Sequence, residues 1–197
     1  MDEAYKRGGF DSTSAGFLAG AAVYTAANAY LSGQGAKHRK RSGQQQPNEG
    51  EDGGSGLAIA VGALLDGVPE SMVIGLSLLG GGGVSLVTVA AVFLSNVPEG
   101  LSSAAGMRRA GRPAAYIFGV WGAIALASGF AAFLGCFLFD GANPEWIAAT
   151  NAVAAGAILA MLADTMMPEA YEDAHNYAGM ITALGFLVAF VLSKLAS

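Results

Sequence analysis

Apolar residues run through this chain in long stretches, without the alternation of a half-buried strand or the one-sided stripe of a soluble helix, and polar residues gather between them. Six stretches, at about 14–32, 56–80, 84–107, 114–139, 146–168 and 179–195, are the candidates for membrane spans. A hydrocarbon core of about 30 Å takes about 20 helical residues, with allowance for tilt. The separators are the polar segment from Gly33 to Gly56, the glycine run 80–83, the basic turn Arg108–Pro113, the turn Asp140–Pro144 and the acidic stretch Glu169–Asn176. The pattern predicts an all-α polytopic transmembrane helix bundle forming a single domain. Residues 33–55 are expected to form a disordered cytoplasmic loop, because the Gln/Asn/Glu/Gly-rich tract Gln44–Gly54 has nothing apolar to bury.

Composition agrees with a membrane location. Only 13% of the 197 residues are charged, against roughly 25% in soluble domains. Mean hydropathy is +0.47. The single cysteine, Cys136, excludes an intramolecular disulfide and a cysteine-rich metal site. The net charge of −5 matters less than where the charges lie. Seven of the ten Lys and Arg residues fall in two separators: Lys37, Arg39, Lys40 and Arg41 in the first, Arg108, Arg109 and Arg112 in the third. Both separators lie on the same side when spans are counted between them, and the positive-inside rule makes that side cytoplasmic. Both termini are then expected on the outer face of a cell membrane, and His38 belongs to the inner basic cluster. The opening MDEAYKRGGFDS reads as an acidic, loop-like start without the features of a cleavable signal peptide.

A short internal similarity is also present. Met1-Asp2-Glu3-Ala4-Tyr5, followed by Gly16-Phe17-Leu18, recurs as Met167-Pro168-Glu169-Ala170-Tyr171, followed by Gly185-Phe186-Leu187, with a spacing three residues longer. In the topology above the two copies have opposite orientations, which is the arrangement of inverted-repeat transporters. On that symmetry about two further spans are expected upstream of Met1.

Four carboxylates fall inside the apolar stretches: Asp66 and Glu70 in the second, Glu99 in the third and Asp164 in the fifth. No Lys or Arg shares those stretches. An ionised carboxylate at bilayer depth costs roughly 2.5 to 3.5 kcal/mol on insertion scales, so it faces the bundle interior and is offset by a proton or a metal cation. Asp66 and Glu70 are four apart and share a helix face, as do Ser95 and Glu99, and Asn96 is close to Glu99 at three apart. Each set encloses a proline, Pro69 or Pro98, which removes one backbone hydrogen bond and is expected to bend its helix and free the carbonyl of Leu65 or Leu94. Oxygen atoms meeting at one depth suit hard divalent cations. Glu169, Glu172 and Asp173 read as a solvated loop face, and His175 as isolated.

Two successive spans bearing Val-Pro-Glu, a basic loop before the first, and a later span ending Ala163-Asp164-Thr165-Met166-Met167-Pro168-Glu169 resemble the ZIP family of divalent-metal transporters. The resemblance covers nearly the whole chain and implies that its spans correspond to helices three to eight of that fold. It implies a metal site from the fourth and fifth helices of the family: Asp66 at a histidine position, Gly67 at an asparagine position, Glu70, Ser95 at a histidine or glutamine position, Asn96 and Glu99. Both histidines of the family pattern are replaced. The sixth helix, which carries a carboxylate in many members, reads Ser128-Gly129-Phe130-Ala131-Ala132 here. Loss of imidazole shifts the preference from zinc towards manganese or iron(II).

The expected function is therefore transmembrane transport of a divalent cation (zinc, manganese or iron) by a non-enzymatic carrier. The metal ligands are expected to be Asp66, Glu70, Ser95, Asn96 and Glu99, and no tightly bound cofactor is expected. The expected partners are the metal ion and the lipid bilayer. A homodimer stays open, and nucleic acid is not an expected partner. The alternative is a degenerate, non-transporting scaffold or regulatory subunit. An intramembrane phosphate-transferring enzyme ranks lowest, because no Lys, Arg or His lies in the carboxylate-bearing spans to hold a phosphate.

Overall fold

The computed structural model describes residues 2–33, 56–79, 84 and 86–195. Met1, the greater part of the polar segment with His38, and the glycine run lie outside the described residues, and with them the expected disordered loop. The described chain is all-helical: α1 Asp2–Leu31, α2 Gly56–Ser77, α3 Leu86–Arg109, α4 Ala114–Phe137, α5 Pro144–Met161, α6 Met167–Ala174 and α7 Ala178–Leu195. A π-helical segment, Leu162–Met166, joins α5 to α6, and a 3-10 turn, His175–Tyr177, joins α6 to α7.

Helices occupy all six predicted stretches. Among the described residues, three segments are long and apolar enough to cross a membrane: Ala60–Ser77, Ala114–Phe137 and the 49-residue Pro144–Leu192, which holds both the fifth and the sixth predicted spans. The predicted first and third spans are helical but more polar. In α3 the apolar part is Thr88–Val97. In α1, Tyr24, Thr25 and Asn28 dilute the hydropathy.

Helix ends follow local chemistry. The Asn143 side chain accepts the Glu145 amide at 3.0 Å, and Pro144 occupies the first turn of α5, where its missing N–H costs nothing. Arg108 and Arg109 in the last turn of α3 complement the helix dipole. Gly111 (φ 79°) and Gly141 (φ 72°) then turn the chain in the left-handed region. Both α2 and α3 continue as single helices through Pro69 and Pro98.

Two helix pairs are packed backbone to backbone. Along α1 and α5, Gly16 faces Ala149 and Ala152, Gly20 lies against the Val153 backbone, and Gly156 lies against the Phe17 carbonyl. Along α2 and α4, Gly75 lies against the Ala132 carbonyl and Gly135 against Met72. Small residues permit this approach, which in lipid replaces the hydrophobic effect as the attraction between helices. One buried cluster holds Ala4, Ala148 and Ala152, with Phe17 against it. A second holds Tyr24, Ala157 and Met161, packed by Leu65, Ile158 and Met166. Large apolar residues of α4 and α7, among them Phe118, Leu126, Phe130, Phe186 and Val188, face outward.

The opening segment differs from its expectation. Residues 2–13 are helical rather than loop-like, and the break falls at Gly9 (φ 71°, ψ −177°). The acidic stretch after the fifth span is likewise largely the helix α6, and its chain reversal falls at His175 (φ 46°, ψ −124°). These two breaks bear on the internal similarity. Gly9 follows Tyr5 by four residues, as His175 follows Tyr171, so the copies break at the same position. The second copy then carries the 3-10 turn of three residues, His175–Tyr177, which matches its three-residue longer spacing.

Candidate functional site

The site is built on α2. Four-residue spacing puts Asp66 and Glu70 on one face, and that face is turned into the protein: Asp66 is 0% and Glu70 7% exposed. Neither carboxylate of α2 is offered to lipid. Both lie within Ala60–Ser77, one of the segments long and apolar enough to cross a membrane.

From α3, Ser95 and Asn96 are half-buried. Asn96 lines a cavity of about 730 Å³ between α2, α3 and α4, together with Gly67, Trp121 and Ser128. A Cβ on Gly67 would come within 3.2 Å of Ser128 Oγ, so the small residue here makes room for α4. Ser95 Oγ is buried without a hydrogen-bond partner in the described structure. The helix carries Glu99, whose side chain lies outside the described residues. Among the described residues, no three His, Cys, Asp or Glu side chains converge into a group that could hold a metal ion. Of the expected ligands, the structure describes the side chains of Asp66 and Glu70 on α2 and of Ser95 and Asn96 on the neighbouring α3.

Sequence reasoning missed the contribution of α1. The Tyr24 hydroxyl donates to Asp66 Oδ1 at 2.5 Å, and both residues are buried. The Tyr24 ring is fixed among Ala157, Met161 and Leu65, so only its oxygen reaches the polar site. The next residue, Thr25, donates to Asp164 Oδ2 at 3.0 Å. Consecutive residues of α1 therefore hold two carboxylates from two other helical segments. Asn28, one turn beyond Tyr24, is also buried. The available signal was the pair Tyr24 and Asn28, four apart in an alanine-rich span, with the same spacing as Asp66 and Glu70.

Asp164 itself is exposed and sits in the π-helical segment, where the widened turn also lets buried Thr165 donate to the Met161 carbonyl at 2.6 Å. Such single-turn widenings are frequent at functional sites. Glu172 and Asp173 are exposed as expected, on a helix rather than a loop. His175 is exposed and its Nδ1 lies 3.1 Å from the Tyr171 carbonyl.

Comparison with protein-family models, with curated proteins and with solved structures finds no match to this chain.

Proposed function

We propose that the protein is a carrier of divalent metal cations in the cell membrane, related to the ZIP transporters that its paired Val-Pro-Glu motifs resemble. In this reading Glu70 and Glu99 share the ion, Asp66 and Asn96 complete its shell, and Ser95 contributes weakly or through water. The basic turns lie in the cytoplasm and both termini outside. The reading rests chiefly on one observation: Asp66 and Glu70 are buried four residues apart on one face of a long apolar helix. Charge of that kind at bilayer depth is retained where a cation visits it. Oxygen-only coordination favours manganese or iron(II) over zinc.

The test is uptake of radioactive zinc, manganese and iron into vesicles holding the full chain, Glu70→Ala or Glu99→Ala. Uptake by the unsubstituted chain, reduced at least tenfold by either substitution, is the expected result. Equal background uptake by all three removes the proposal.

The bond between Tyr24 and Asp66 favours a second reading, a non-transporting scaffold or regulatory subunit descended from such a carrier, since a carboxylate held by a phenol has a partner within the fold. That reading predicts no metal in the purified protein and a co-purifying partner chain. Stoichiometric bound metal counts against it.

A further inference from the structure

Of the candidate ligands whose side chains are described, Asp66 is the most deeply buried, and Tyr24 Oη sits on its Oδ1 at 2.5 Å. A cation that approaches Asp66 along the Oδ1 lone pair holding the phenol has to take the place of that hydroxyl, whereas the other Oδ1 lone pair and Oδ2 can accept the ion with the phenol in place. The ring offers little alternative, packed as it is against Ala157, Met161 and Leu65. On the first approach the phenol swings about its own side-chain torsions, or α1 shifts relative to α2.

We propose that the Tyr24 hydroxyl is a latch on Asp66: it competes with the cation for this carboxylate and sets the affinity of the site. The proposal rests on the carrier reading and deepens it, adding a positioning residue on α1 to a site composed from α2 and α3. The alternative role, in which Tyr24 orients Asp66 for the ion or offers its own oxygen, has the opposite sign. A latch weakens metal binding, whereas an orienting group or ligand strengthens it.

The sign is measurable by equilibrium dialysis of Mn2+ against the full chain in detergent, comparing the unsubstituted protein with Tyr24→Phe, Thr25→Val and Glu70→Ala. Tyr24→Phe keeps the ring in its apolar cluster and removes only the donor. The latch predicts that it binds Mn2+ roughly tenfold or more tightly, the size of one hydrogen bond to a charged group. Thr25→Val breaks the neighbouring bond to Asp164 and leaves Asp66 untouched, so its affinity should equal that of the unsubstituted chain. Unchanged or weaker binding by Tyr24→Phe overturns the latch while leaving the carrier standing. Absence of Mn2+ binding in every chain removes the carrier reading, and the latch with it.

A second readout covers the case in which Tyr24→Phe loses its helices by circular dichroism. Titrating the unsubstituted chain with Mn2+ should give a near-ultraviolet tyrosine difference signal that saturates with the binding isotherm, as the phenol leaves its carboxylate. A flat tyrosine signal during saturable binding overturns the proposal.

Discussion

At the scale of single residues, the two helix breaks make opposite demands on their side chains. Gly9 adopts φ 71° and ψ −177°, a region open almost only to glycine. A Cβ there meets nothing within 4 Å, so the cost of Gly9→Ala is backbone strain alone, on the order of 1 to 3 kcal/mol. At the matching break, His175 holds φ 46° and ψ −124° despite its Cβ. His175→Gly should therefore stabilise the protein by about 1 kcal/mol, less whatever the contact of its ring with Tyr171 contributes. Thermal unfolding in detergent should show the melting temperature falling for Gly9→Ala and rising for His175→Gly. The same pair marks a limit of sequence reading. Gly9 was readable as a flexible position, but an exposed histidine in a positive-φ turn has no composition cue. Tyr24 was hidden for a different reason: a phenol in an apolar span reads as packing until a carboxylate from another helix, 42 residues away, is placed against it.

Among the elements, the closest contacts are backbone on backbone, and they too carry a prediction. Gly20 on α1 and Gly156 on α5 each occupy positions where an added Cβ would run into a carbonyl of the partner helix, Val153 or Phe17. Because backbone rather than a flexible side-chain tip is in the way, the helices must separate. Gly20→Val or Gly156→Val should cost roughly 1 to 3 kcal/mol or more and loosen the Tyr24–Asp66 and Thr25–Asp164 bonds that depend on the position of α1. Gly122→Ala on α4, where nothing lies within 4 Å, is the neutral control, and thermal melts of the three variants separate the cases. The helices over the six apolar stretches were legible from hydropathy because charge, glycine or proline separates them, as at Arg108–Pro113 and Asp140–Pro144, whereas α6 and the opening of α1 were expected as loops. Which helices would pair was not legible. Small residues are scattered through α1, α2, α4 and α5 alike, and only three-dimensional packing shows that Gly20 meets Val153 while Gly122 meets nothing. The face shared by Asp66 and Glu70 was legible from spacing alone, since four residues return a helix to nearly the same direction.

For the whole molecule, charge and aromatic placement argue for one orientation. In the α3–α4 turn, Arg108, Arg109 and Arg112 are exposed, and the Arg112 guanidinium lies 5.2 Å over the Tyr116 ring. A cation backed by an aromatic ring is the usual anchor of a helix end at a membrane interface. One helix length away, the α4–α5 turn carries Asp140 and Glu145, with exposed Trp146 and Phe137 beside them and no Lys or Arg. In the proposed topology, which follows the positive-inside rule, the first turn lies in the cytoplasm and the second on the outer face. Because Cys136 is the only cysteine, a Cys136→Ala background allows single cysteines to report the side on which they lie. In intact cells a membrane-impermeant maleimide should label Asp140→Cys at once, and should label Ala110→Cys only after permeabilisation. The reverse pattern inverts the orientation and leaves the bundle intact. Labelling of both positions from outside would mean that α4 does not cross the membrane, and the buried pair Asp66 and Glu70 on α2, which packs against α4, would then lose the low-dielectric setting on which the proposed cation site depends.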